Sequence, residues 1–310
     1  MQIGCGIGTE AIGTPAPPEI LADEASRAEE LGFGSAWCVH FSRGIDSLSA
    51  LVAAGLQTSR IELGVGVVPI YPRHPVALAQ QAATVQALIG GRLVLGVGVS
   101  HRPVTEAMFG LPYTEPANYM REYLGVLRPM LREGKAAFEG DFFTVEAEFT
   151  IPGTTPVPVL VGGLSGNMVR VAGECADGVV TWLAGKKTLS ERIVPGINSA
   201  AKAAGNGFPR IVAALPVALT DDAPAAREAA NTVFARYGGL VNYQKQFDRE
   251  AVTGPGDVAV VGTEQQIKAQ LEDFEEIGVT DFWPVVFPVH GPGSVAKTRA
   301  ALAAIGHDFK

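Results

Sequence analysis

The chain has 310 residues, 47% of them hydrophobic and 18% charged, with a formal net charge of −8. That composition fits one large α/β domain or two smaller ones and excludes a disordered chain. The negative balance argues against nucleic acid or an anionic membrane surface as the main partner, and no apolar run approaches the roughly 20 residues that span a bilayer. Cys5, Cys38 and Cys175 are odd in number and far apart, without CxxC or metal-type spacing. They read as reduced thiols of a cytoplasmic protein. The first residues, MQIGCGIG, already form a strand pattern and show no basic or apolar leader.

Ile3 to Ile7 reads as the first strand. Pro17-Pro18 then opens a helix with an apolar face of Leu21, Ala25, Ala28 and Leu31, ended by Gly32. Ser35 to Val39 is the second strand, and Asp46 or Ser47 can cap a helix over Leu48 to Gln57. The most informative stretch follows, IELGVGVVPIYPRHPVALAQQAATVQALIGGRLVLGVGVSH, from Ile61 to His101. Two apolar strands flank a helix that opens at Pro75 and stops at Gly90-Gly91. Unbroken apolar runs belong to strands buried on both faces, hence to a parallel sheet covered by helices.

From Arg102 to Pro156 the pattern loosens into a helix around Asn118 to Arg132 and an aromatic, β-rich piece, FEGDFFTVEAEFTI. Val157 to Val161 is the fifth strand, with a helix starting near Ser165. Gly178 to Trp182 is the sixth, its helix running from Lys187 to Ala204, and Ile211 to Val217 is the seventh. A helical excursion, Ala223 to Arg249, precedes a helix with a Thr263/Gln266 capping box and a face of Ile267, Leu271, Phe274 and Ile277. Thr280 to Val286 is the eighth strand, and Ser294 to Ile305 the closing helix. Eight strands, each followed by a helix, predict an α/β fold of the (β/α)8 TIM-barrel type over residues 1–310. The loop insertions fall at about 102–156 and 223–255. A doubly wound sheet normally has fewer strands.

Chemistry on such a barrel sits at the carboxyl ends of the strands. His40, His74, His101 and His290 all fall just past predicted strands. His40 and His101 are the catalytic candidates; the plain alternative is that polar residues gather in loops. His74, before Pro75, reads as a helix cap, and His290 as a solvated loop residue. Gly64, Gly66, Gly96, Gly98, Gly162 and Gly163 keep side chains off the mouth, so that a planar cofactor can lie there on backbone contacts. In VPVLVGGLSGNM, Gly162-Gly163 and the helix start at Ser165 suit a phosphate; a tight turn needing positive φ is the alternative. Trp37, Phe41, Trp182 and Trp283 lie near strand ends, either shaping a substrate pocket or packing the barrel. GCGIGTEA resembles a dinucleotide GxGxxA, but its helix starts too late and no ribose-binding acid follows. GKS, GKT, HxxxH and GxSxG motifs are missing, so metal catalysis and serine hydrolysis lack their parts.

Four segments together resemble the bacterial luciferase-like superfamily: AEELGFGSAW before His40, the YPRHP-to-GVGVSH stretch, VPVLVGGLSGNMVRVAGECADGVV, and VGTEQQIKAQLEDFEEIGVTDF. The resemblance covers nearly the whole chain and is nearest the branch using the deazaflavin coenzyme F420, including methylenetetrahydromethanopterin reductases. It implies a (β/α)8 barrel, His40 beside the reacting ring carbon, and a non-prolyl cis peptide around Gly66, Val67 and Val68 forming a bulge behind the ring. It also implies that Gly162, Gly163, Leu164 and Ser165 hold the coenzyme's phosphate, with Gly98 nearby. Deazaflavin glucose-6-phosphate dehydrogenases carry a tryptophan where Gly44 stands and a glutamate where His101 stands. A sugar phosphate is therefore not the expected substrate.

The expectation is an F420-dependent oxidoreductase that moves a hydride between the deazaflavin and a small organic substrate, with His40 or His101 managing the proton. Phe41, Trp182 and Trp283 would shape the substrate pocket. An ordinary imidazole pKa, near about 6.5, suits either acid or base duty. The alternatives are a two-component monooxygenase using reduced FMN, and a non-catalytic flavin-binding protein. The resemblance further implies a homodimer. No metal, nucleic acid or membrane partner is expected.

Overall fold

Runs of valine, leucine and isoleucine leave these strands no polar face, so both sides must be covered. The computed structural model, which describes residues 1–8, 17–291 and 293–309, shows how. The first predicted strand is two pieces, β1 (Gln2–Ile3) and β2 (Cys5–Ile7), around Gly4. Then come α1 (Pro18–Glu30), β3 (Ser35–Cys38), α2 (Ser47–Gln57), β4 (Glu62–Pro69), α3 (Pro75–Leu88) and β5 (Leu93–Gly98). The loosened region holds a π-helical turn at Val104–Met108, α4 (Pro116–Glu133) and an antiparallel hairpin of β6 (Lys135–Glu139) and β7 (Thr144–Glu148). The alternation resumes with β8 (Val159–Gly162), α5 (Gly166–Cys175) and β9 (Gly178–Trp182).

The helix expected over Lys187 to Ala204 is divided into α6 (Lys186–Thr188), a π-helical turn and α7 (Val194–Ala203). Pro195, which has no N–H to donate, stands in the first turn of α7. Beyond β10 (Arg210–Leu219), the excursion is α8 (Ala223–Val233), α9 (Ala235–Gly238) and α10 (Val241–Glu250). A strand not anticipated, β11 (Val260–Gly262), leads into α11 (Glu264–Glu276), β12 (Asp281–Val286) and α12 (Gly293–Gly306). Of the GCGIGTEA stretch, residues 9–11 lie outside the described residues.

The sheet runs β1–β12–β10–β9–β8–β5–β4–β3–β2, with parallel neighbours throughout, and β11 pairs with the end of β10. Because β1 and β2 are consecutive, the two ends of this path meet at Gly4, whose N–H donates to Phe282 O at 2.9 Å. The result is the expected barrel, with helices outside. Helix starts follow the sequence chemistry: Asp46 caps α2, His74 caps α3, Ser165 caps α5, and Thr263 with Gln266 forms the capping box of α11.

Inside the barrel, Trp37 stacks on Trp283 with ring centroids 5.6 Å apart, among Val94, Leu160, Val180 and Val212. Below them lies a floor of charge drawn from the amino ends of three strands. Arg210 Nη2 is 2.6 Å from Glu62 Oε1 and 2.5 Å from Asp281 Oδ1, its guanidinium 5.9 Å from the Trp37 ring. Thr280 Oγ1 donates to Asp281 Oδ2 at 2.6 Å, which helps satisfy a carboxylate that is only 4% exposed.

A second carboxylate fixes the approach to β4. Glu29, on α1, accepts the N–H groups of Ser59, Arg60 and Ile61 at 3.1, 2.6 and 2.8 Å. Burial raises its pKa, yet these donors outweigh it and bring the value down to about 2. A depressed acid stabilises the fold fully above its ordinary pKa of 4.5 and loses that contribution as the pH falls through about 2. Glu29→Gln is therefore expected to lower unfolding free energy by about 1 kcal/mol at pH 7, a figure discounted for its exposure. The gap to wild type in urea denaturation should close as the pH approaches 2. A constant gap across that range would show that the charge is not the cause. No helix among the described residues is long and apolar enough to cross a membrane.

Candidate functional site

Each strand of the barrel delivers its last residues to one rim. His40, two residues past β3, is half-buried, and its Nδ1 lies 2.8 Å from Ser47 Oγ at the start of α2. Behind it, Asp46 Oδ1 accepts the Ser49 N–H at 3.0 Å, and Asp46 Oδ2 pairs with Arg73 Nη2 at 2.6 Å. The loops after β3 and β4 are thus tied together beneath the imidazole. Burial first, and then Arg73, push the His40 pKa down to about 4, against the pull of Asp46. The ring is neutral at physiological pH. This corrects the expectation of an ordinary imidazole: His40 acts as a neutral donor or acceptor, steadied through Nδ1, and has no imidazolium proton to give.

At the end of β4 the register with β5 shifts between Val65 and Val68, and the Gly66–Val67 peptide is cis. The expected bulge is therefore present. It turns the half-exposed Val67 side chain across the mouth. A Cβ on Gly98 would come within 2.4 Å of Val67 Cγ2, and one on Gly162 within 3.0 Å of Val67 Cγ1. The rim glycines consequently do something other than expected. Gly98 and Gly162 make room for Val67, Gly64 for the Trp37 ring, Gly66 for Trp283, and Gly96 for the Val65 carbonyl. What meets a ligand there is a valine ridge, not bare backbone.

Beyond β8, neither Gly162, Gly163 nor Gly166 has positive φ, so a strained turn does not explain them. Gly163 lies against Met168, while a Cβ on Gly166 would meet nothing within 4 Å. Ser165 Oγ caps α5 by accepting the Met168 N–H at 3.3 Å, and Ser165, Gly166 and Asn167 are exposed. The first-turn N–H groups of a ten-residue helix therefore open onto the rim next to half-buried Leu164. A valine ridge flanked by a helix start of this kind fits a planar ring carrying a phosphate tail.

His101, past β5 and after Ser100 at φ 58°, is also half-buried, its ring 6.0 Å from that of Tyr243 on α10. Burial, then Arg236, lower its pKa. Tyr243 packs 5.0 Å from Tyr237, and the Arg236 guanidinium sits 4.7 Å from the Phe41 ring and 5.0 Å from the Tyr237 ring. The loop carrying His40 and Phe41 is thereby linked to His101 through the insertion between β10 and β11. Trp182 is half-exposed at the end of β9, edge-on to Phe234 at 5.3 Å and Tyr237 at 5.6 Å. Trp283 is only 3% exposed, pressed between Trp37 and Gly66. It belongs to the barrel filling, a correction to its reading as a pocket residue. His74 does its capping, accepting the Val76 N–H at 3.3 Å, and His290 is exposed.

Sequence reasoning missed Phe234, Arg236, Tyr237 and Tyr243. Their one signal was the run FARYGGLVNYQKQF, unusually aromatic for a solvated excursion.

Residues 1–281 match the luciferase-like monooxygenase family. The chain belongs to that family. An uncharacterized protein of Mycobacterium tuberculosis is 31% identical over 288 residues, 87% of this chain and 82% of that protein. An F420-dependent glucose-6-phosphate dehydrogenase of Kineococcus radiotolerans is 29% identical over 316 residues, 97% of this chain and 92% of that one. The structure of the coenzyme F420-dependent tetrahydromethanopterin reductase of Methanopyrus kandleri superposes with a TM-score of 0.79 at 22% identity, covering 98% and 97% of the two chains. Among luciferase-like proteins, then, this chain has F420-dependent oxidoreductases as relatives and shares their barrel.

Proposed function

We propose that this luciferase-like protein is an F420-dependent oxidoreductase acting on a small organic substrate at the carboxyl ends of β3, β4, β5 and β8. One observation carries the reading: the Val67 ridge, seated over Gly98 and Gly162, lies on the same rim of strand ends as a neutral, partnered His40. The Kineococcus relative supports deazaflavin over FMN.

In this reading the residues around Gly66, Val67 and Val68 back one face of the ring, with Gly98 leaving the space behind it. Gly162, Gly163, Leu164 and Ser165 form the turn that holds the phosphate, with the open N–H groups of the first turn of α5 as donors, since the Gly163 N–H itself bonds to Val180 O at 3.3 Å. When bound, the coenzyme supplies the hydride chemistry. The chain's own tasks are orientation, exclusion of water and proton handling. His40, fixed through Ser47, presents its other ring nitrogen to the oxygen or nitrogen of the reacting substrate. His101 stands across the mouth as the second polar group, and Phe41 and Trp182 cover the substrate with apolar surface.

Fluorescence titration of the purified protein with F420, oxidised FMN and reduced FMN tests the assignment. Binding of F420 in the micromolar range, with both forms of FMN at least about tenfold weaker, is the expected result. Preference for reduced FMN would replace the reading with an oxygen-dependent monooxygenase.

A further inference from the structure

We propose that Arg236 is an anion-recognising residue of this mouth and that the substrate carries a single carboxylate on an apolar body. Calling the site a substrate site rests on the oxidoreductase reading; the binding claim does not.

Most of the chain's 24 Lys and Arg side chains make no ion pair among the described residues, so what sets Arg236 apart is that it is held in place at the rim. Two other arginines nearby are engaged: Arg73 pairs with Asp46 at 2.6 Å and Arg102 with Glu106 at 2.7 Å. Arg236 makes no ion pair among the described residues. Its one side-chain hydrogen bond among the described residues is from Nη2 to Tyr237 Oη at 3.2 Å. The side chain is exposed yet positioned, its guanidinium lying against the Phe41 and Tyr237 rings. Stacking holds the plane of a guanidinium and leaves its N–H edges free, the geometry that meets a planar carboxylate with two parallel bonds.

Geometry and surroundings narrow the ligand. A single guanidinium held against two rings presents one forked edge, which suits the planar, two-oxygen face of a carboxylate. Phe41, Tyr237 and half-exposed Trp182 offer apolar surface to the body of the molecule. A second observation lies under the same insertion. Gln246, on the buried face of α10 that carries Tyr243 and Phe247, is fully buried, and neither end of its amide has a partner among the described residues. An unpartnered buried amide is a place where a ligand's polar group or a water belongs.

Benzoate and its neutral isostere benzamide are the probes, titrated into the ligand-free protein while tryptophan fluorescence is followed. Trp182 is the half-exposed tryptophan among Trp37, Trp182 and Trp283 and the one beside Tyr237. Expected is saturable quenching by benzoate, at least about tenfold tighter than by benzamide, with the preference abolished in Arg236→Gln and partly kept in Arg236→Lys. The F420 affinity of Arg236→Gln should equal that of wild type, and circular dichroism should confirm its fold. Equal binding of the two probes to wild type, no benzoate binding, or benzoate binding unchanged in Arg236→Gln overturns the proposal. So does a loss of F420 affinity in that variant, which would assign Arg236 to the coenzyme. Since the benzoate titration needs no coenzyme, a failed F420 titration alone overturns only the oxidoreductase reading.

Discussion

His40→Ala is expected to cut turnover by about 10²- to 10⁴-fold while F420 affinity stays within about threefold of wild type. In the proposed reading the imidazole reaches the reaction through its free nitrogen and takes no part in the glycine-and-helix cradle after β8. The pH profile carries a second signature of the same residue. A histidine with its pKa at about 4 is neutral across the physiological range, so kcat/KM should show no inflection near pH 6.5. Any limb owed to His40 falls on the acid side, at about 4. In folding, the sign is that of a lowered base: its contribution is complete above about pH 6.5, where the unfolded histidine is also neutral, and drains away as the pH falls through 4. Loss of coenzyme binding in His40→Ala, with normal turnover of the bound fraction, would remove His40 from the chemistry.

Arg210→Ala should destabilise the barrel by about 3–5 kcal/mol, read from urea unfolding, because it strands two carboxylates at the floor, one of them the 4% exposed Asp281. The rim is built from the other ends of the strands, so F420 affinity at low temperature should survive. Replacing all three partners together, Arg210→Met with Glu62→Leu and Asp281→Leu, should cost far less than the single change, since no charge is then left buried and alone. If Arg210→Ala costs under about 1 kcal/mol, the floor is solvated and the cluster does not hold the strands.

How far the sequence disclosed all this depends on the range of each interaction. Local chemistry was legible: the strand runs, the capping of α3 by His74 and of α5 by Ser165, and the box at Thr263 and Gln266 are written within a few residues of each other. The alternative of Asp46 or Ser47 is settled for Asp46, since its carboxylate reaches the Ser49 N–H while the Ser47 hydroxyl turns to His40. Contacts across the barrel were not legible. Gly98 and Gly162 read as open space because nothing in their own strands reveals that Val67, from a third, lies over them. Trp283 looked like a rim residue from its place in β12, although its partner Trp37 lies some 246 positions away in sequence and draws it into the core. The acid-shifted His40 depended first on its burial among neighbouring loops and then on Arg73, another loop's residue. The division of the helix after β9 was not anticipated, although Pro195, in the first turn of α7, stands in the sequence just beyond it.

One modest feature bears on how this chain can change. The three residues of β11 lie in register beside the end of β10, with Val217 against Val260 and Leu219 against Gly262. The whole excursion carrying Phe234, Arg236, Tyr237 and Tyr243 therefore leaves and re-enters the barrel at adjoining points. A detour anchored in this way can be lengthened at little entropic cost, because closure between fixed neighbouring ends grows only slowly with length. If the proposed substrate mouth is right, specificity here is a cassette. Mutation or recombination between residues 220 and 259 can give the protein a new clientele, while the histidine, the valine ridge and the ionic floor are inherited untouched.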